Sequence, residues 1–158
     1  MVELDSVDRR LLMEMQTDAS RPIAEVAARI GLSPSPCWRR LKRLREAGVI
    51  TAQVALIDPK AVGLGVTVYA SVTLRAHSEA NVAAFDHFVG EALEVTECLA
   101  VTGDRDYILR IAVPDIEAYE RFLSGRLLHL PFIAAVNSRF ALRRVKYTTA
   151  LPLVAAEA

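Results

Sequence analysis

The sequence predicts an α+β protein in two parts, helical first and mixed afterwards. Three observations predict it. Up to about residue 48, apolar residues recur at helical spacing in three short runs. From residue 66 onward, runs that alternate every second residue take turns with helical stripes. Between the two lie Asp58-Pro59 and Gly63-Leu64-Gly65, a turn-rich hinge. The expected division is residues 1–50 for the helical part, 51–65 for one added strand and the hinge, and 66–158 for the mixed part.

Asp5 is a plausible N-cap, with Asp8 three residues on as a weak capping box. Val7, Leu11, Leu12 and Met15 then mark a first helix, and residues 16–21 read as a loop. Ile23, Val26, Ala27 and Ile30 mark a second, short helix, which Gly31 ends. A third begins near Pro34 or Ser35, where proline is tolerated, and stops at Gly48. Its stripe is Cys37, Leu41 and Leu44. Three short helices with a tight turn between the last two form a helix-turn-helix pattern. Residues 49–57 are short and β-prone.

In the second part, Val66, Val68, Ala70, Val72 and Leu74 alternate with Thr67, Tyr69, Ser71 and Thr73. Val82, Phe85, Phe88, Val89 and Ala92 form a helical stripe. Residues 95–101 and 107–113 read as strands joined by a hairpin. Ile116, Tyr119, Phe122 and Leu123 give another helix, and residues 133–142 a last strand. The order βαββαβ is the ferredoxin-like split βαβ. The strand face bearing Thr67, Tyr69, Ser71 and Thr73, joined by Ile108 and Ala112, is too apolar to stay open. A twofold homodimer would bury it sheet to sheet.

Composition narrows the function. The 158 residues carry 19 basic and 19 acidic side chains, so the chain is formally neutral. Yet "SPSPCWRRLKRLREAGVI" gathers five cations within residues 39–45. One basic end on a neutral chain suggests a polyanionic partner. On a helix, Ser35, Arg39, Lys42 and Arg43 fall opposite the apolar stripe, with Trp38 and Arg40 on the flanks. Such a helix fits the major groove, where arginine pairs with guanine. Ser33 and Ser35 at its start suit phosphate oxygens. Trp38 can stack on a base or pack against the segment that follows. The candidate DNA-binding residues are therefore Ser33, Ser35, Trp38, Arg39, Arg40, Lys42 and Arg43, and the partner is double-stranded DNA. A solvated basic helix is the bland alternative.

The acidic start of the N-terminus lacks the apolar run of a signal peptide, and no run is long enough to span a membrane. Cys37 and Cys98 are too few and too distant for a disulfide framework or a zinc site. A cytoplasmic protein with reduced thiols is expected. His77, His87 and His129 share no metal-like spacing. No nucleophile–base pair and no phosphate-cradling loop stands out, so no cofactor and no enzymatic activity are expected.

The hairpin Thr102-Gly103-Asp104-Arg105-Asp106 is the second constellation. Gly103 can bring its backbone close to an anion, and Asp104 and Asp106 can accept from an ammonium group. Gly and Asp are equally ordinary turn residues.

These stretches carry a resemblance. "GLSPSPCWRRLKRLREAGVI", "DPKAVGLG", "VTGDRDYILRIAVPDIEAYERFL" and "RRVKYTTALPL" stand in an order and spacing similar to the Lrp/AsnC family of transcription regulators. The resemblance covers nearly the whole chain. It implies a winged helix-turn-helix joined to a ferredoxin-like βαββαβ domain that responds to a small-molecule effector, a free amino acid. It implies homodimers that can assemble to octamers. It places the effector around Thr102, Gly103, Asp104 and Asp106, with walls at Ala100, Ile116, Arg139 and Ala141, between neighbouring subunits. Arg105 and Arg139 depart from the apolar residues expected there. Two other readings remain open at this stage: a ferredoxin-like enzyme, and an oligomeric effector-binding protein whose helix-turn-helix has no regulatory role.

Overall fold

A computed structural model describes residues 3–153. The chain forms two compact units, one of residues up to Ala55 together with those from Lys146 onward, the other of Leu56–Val145.

The first unit holds α1 (Ser6–Thr17), α2 (Ile23–Arg29) and α3 (Pro34–Glu46). Asp5 caps α1: its carboxylate accepts from the Asp8 amide at 2.7 Å, and Asp8 accepts in return from the Asp5 amide. Gly31 and Gly48 end α2 and α3 in the left-handed region, at φ of 73° and 71°, which glycine adopts without a Cβ penalty. The core is Leu11, Leu12, Val26, Ala27, Ile30, Cys37, Leu41 and Leu44. Burial of each large side chain stabilises by about 1.5–3 kcal/mol.

Two expectations for this unit are corrected. Residues 49–57 form no strand, so the wing is absent from the described residues. A strand exists only where a second one accepts its ladder, and no described segment of the unit pairs with it. Val49 and Ile50 instead donate to the Leu44 carbonyl and pack on the helical core, while Val54 and Leu56 stay exposed. The second correction concerns the C-terminal residues, expected in the mixed part. The Gln16 amide donates to the Leu151 carbonyl at 3.2 Å and accepts from the Leu151 amide at 2.6 Å. Leu153 packs against the helical core. The tail therefore belongs to the helical unit from Lys146.

The second unit is a four-stranded antiparallel sheet in the order β2-β3-β1-β4, from β1 (Val66–Leu74), β2 (Val95–Ala100), β3 (Tyr107–Val113) and β4 (Ile133–Phe140). The helices are α4 (Glu79–Glu91) and α5 (Ile116–Phe122), the latter running into a π-turn at Leu123–Leu127. Ser78 caps α4 and Asp115 caps α5 through side-chain oxygens. The predicted βαββαβ order and period are observed. Val68, Ala70, Val72 and Leu74 are buried with Leu109, Ile111, Phe85, Tyr119 and Phe122. On the opposite face, Tyr69 is 42% and Leu99 50% exposed.

Candidate functional site

Helix α3 carries the first site. Prolines at positions 34 and 36 remove two of the four amide donors that a helix start leaves unpaired. The Ser33 side chain makes no capping bond. Both serines are exposed at the positive end of the helix. Arg39 is also exposed and has no ion pair among the described residues. Lys42 sits 3.6 Å from Glu46, and its ammonium lies 5.5 Å from the Trp38 ring centroid. Trp38 is 52% exposed. The expected packing of Trp38 on a wing is thus corrected: no wing is there, and the indole carries a lysine instead.

Arg40 and Arg43 behave differently from expectation. Both reach back to the start of α1. Arg40 donates to Asp5 at 2.6 Å and to Asp8 at 2.9 Å, and Arg43 donates to the other Asp8 oxygen. Asp8 is fully buried. A carboxylate taken out of water needs cationic partners, and these two arginines supply them. The hydrogen bonds hold the Asp5 carboxyl below the usual carboxylate range, the Asp8 amide first and the Arg40 guanidinium second. The exposed residues of α3 and its N-cap without a bond to α1 are therefore Ser33, Ser35, Trp38, Arg39 and Lys42; Arg43 is equally exposed but bonds Asp8, and half-buried Arg40 braces α3 against α1 with it. The brace was missed, though a signal existed. Asp8, Leu11, Leu12 and Met15 form a helical stripe with an acid in a core position, which calls for a buried cation partner.

The hairpin of the second unit is the other site. Val101 donates to the Asp106 carbonyl at 2.9 Å and closes a four-residue loop. Gly103 has φ 116°, open only to glycine without strain. Thr102, Gly103 and Asp104 are exposed, and Arg105 donates to the Thr73 hydroxyl at 3.3 Å. Both oxygens of Asp106 already have a partner within the chain. One carboxylate oxygen accepts from the Leu74 amide at 2.7 Å and the other bonds His77 Nε2 at 2.7 Å. The Leu74 amide, ahead of His77, keeps its carboxyl below the ordinary value. His77 was missed, because nothing in its spacing ties it to Asp106.

The expected pocket residues divide between the two ends of the sheet. Ala100 pairs with Tyr107 beside the hairpin. Ile116 follows the far end of β3, where Val113 pairs with Val66, and the Ala141 amide bonds the Thr67 carbonyl. Arg139 pairs with Tyr69 and donates to the Ser71 hydroxyl. Six residue steps along β3 separate the ends by about 20 Å. One protomer does not bring Ile116 and Ala141 to the hairpin.

Comparison with known proteins decides the class. The AsnC-type helix-turn-helix domain matches residues 4–45, and the Lrp/AsnC ligand binding domain matches residues 67–151. The chain belongs to the Lrp/AsnC family. It is a DNA-binding transcriptional regulator with a ligand-responsive domain, not an enzyme. It is 36% identical to the DNA-binding transcriptional activator DecR of Escherichia coli over 95% of this chain and 99% of that one. It is also 36% identical to the glutamate uptake regulatory protein of Zymomonas mobilis, over 96% and 92%. A transcriptional regulator from Neisseria meningitidis, solved in complex with L-methionine, superposes with TM-score 0.92 at 35% identity, covering 96% of this chain and 97% of that one. An AsnC family regulator from Agrobacterium tumefaciens gives 0.90 at 42%, covering 95% and 97%. Among the described residues, no helix is long and apolar enough to cross a membrane.

Proposed function

We propose that α3 enters the major groove with Ser33, Ser35, Trp38, Arg39 and Lys42 toward DNA, and that a free amino acid at the 102–106 hairpin controls that binding in the cytoplasm. The observation that carries the DNA reading is the sorting of the cations on α3. Arg40 and Arg43 are spent on Asp5 and Asp8, whereas Arg39 points to solvent without a counter-ion. Arg39 is the base reader and Lys42 a phosphate contact. Arg39→Ala should cost about 1–3 kcal/mol and relax specificity at one position, and Lys42→Ala should lower the salt slope by about one. Operator titrations at several salt concentrations test both, and unchanged affinity in both variants sinks the assignment.

For the effector, Thr102 and Gly103 offer donors to the carboxylate. Asp104, whose side chain is 90% exposed and has only a 3.5 Å contact from Arg105 to one oxygen, offers the acceptor for the ammonium. Asp106 positions the loop instead. The separation of Ile116 and Ala141 from the hairpin supports a pocket completed by a second copy, in a homodimer that covers Tyr69 and Leu99, or in an octamer of such dimers. Calorimetry with the twenty amino acids, followed by Asp104→Ala, tests this. The variant should bind DNA but lose roughly tenfold or more in effector affinity. Light scattering that finds a monomer at micromolar concentration would refute the shared pocket.

A further inference from the structure

We propose that the second unit holds a separate binding site for a small monocarboxylate with an apolar tail, in the cavity between the π-turn after α5 and the start of β2. The cavity measures about 420 Å³, within the range of small-molecule sites. Leu64 and Phe122 give it apolar walls with Leu93 at its rim, and Glu94, Arg121 and Arg126 give it charge. It lies where β3 ends at Val113, about 20 Å along the strand from the hairpin.

Two features mark it as built rather than incidental. The first is the position of Arg126. It sits in the π-turn Leu123–Leu127, a conformation rare in helices and concentrated at functional sites. Its Nη1 reaches both Glu94 oxygens, at 2.9 and 3.1 Å, and its guanidinium lies over the Phe88 and Phe122 rings at 5.5 and 5.6 Å. The guanidinium is thereby fixed in place before a ligand arrives. The second is Leu93. It is 94% exposed at the cavity rim, where it gains nothing for folding but can close over an apolar tail.

Charge selects the ligand class. Arg121 has no ion pair among the described residues, and Glu94 offsets Arg126, so the cavity carries one net positive charge. One carboxylate balances it. An amino-acid zwitterion would bring an ammonium group as well, which would have to compete with the Arg126 guanidinium for Glu94, the carboxylate in the cavity wall. The deaminated analogue of an amino acid avoids that competition and is the better fit.

The test uses the full-length protein with labelled leucine methyl groups, titrated with sodium 4-methylpentanoate and separately with leucine, which differs by the amino group. The acid should move the Leu64 and Leu93 methyl signals saturably, in the millimolar range or below. Leucine should leave those two signals in place, whatever it does at the hairpin. Arg121→Gln, an exposed substitution that the fold tolerates, should raise the Kd at least tenfold. Absence of a saturable shift, an equal response to leucine, or an unchanged Kd in Arg121→Gln would each overturn the proposal. None of these outcomes depends on the amino-acid reading of the hairpin.

Discussion

Replacing Asp8 by Asn separates the two tasks of the basic helix. The buried carboxylate accepts one charge-assisted bond from Arg40 and one from Arg43. Each is worth about 1.5–3 kcal/mol at full burial. Both cations are partly solvated, with side chains 31% and 50% exposed, and Arg40 keeps its 2.6 Å bond to Asp5. The gross figure must be discounted for that screening. Asp5 still caps α1 and the asparagine at position 8 can still accept from the Asp5 amide, so a net loss of about 2 kcal/mol is expected. Trp38, the single tryptophan, lies on α3, so its fluorescence reports this unit. With a denaturant slope near 1 kcal/mol/M, the urea midpoint should fall by about 2 M. Arg43, released from Asp8, becomes available to phosphates. The salt slope for random duplex DNA should steepen by about one while discrimination for the operator declines. An unchanged urea midpoint together with an unchanged salt slope would refute the brace.

Three further predictions follow from the same geometry. Gly103→Ala meets open space but holds alanine at φ 116°, so it should cost about 1–2 kcal/mol in urea melts, and a stabilised hairpin would contradict the assigned backbone. Asp106 has a folded pKa below its unfolded value, so its contribution is complete above the ordinary carboxylate range and disappears as pH falls through the depressed value. Wild type and Asp106→Asn should differ at neutral pH, begin to converge as pH falls below about 4 and meet only below the depressed value, whereas parallel stability curves would show that the Leu74 and His77 bonds contribute nothing. Truncation before Lys146 removes the Gln16–Leu151 pair and the Leu153 contact, and should lower the Trp38-reported midpoint while leaving the sheet unit's own transition in place.

The fold was legible where a local pattern of residues carries it. The period of two in residues 66–74 places Val68, Ala70 and Val72 inward, and the buried face is the one so marked. Gly31 and Gly48 were readable as helix ends because the left-handed conformation nearly demands glycine there. The 49–57 segment was misread for the complementary reason. Its β propensity is real, but propensity describes a fit to a pleated surface that this chain does not provide. The tail was misplaced because LPL carries no periodicity, and only a distant glutamine amide decides where it docks.

The sites were legible as composition and less so as geometry. Seven positions on one helix could be nominated for DNA, but a helical wheel does not see what another helix brings to it. Asp8 engages Arg40 and Arg43, and that pairing spans 32 and 35 residues of sequence. The hairpin shows the same limit. Thr102, Gly103 and Asp104 are exposed, while Asp106 bonds a β1 backbone amide and His77, 29 positions away. In both places an apparent cluster of like residues splits into one set that faces outward and one that holds the first in place. The second set is the one that sequence spacing cannot separate, because its partners are fixed only when the helices and strands have packed.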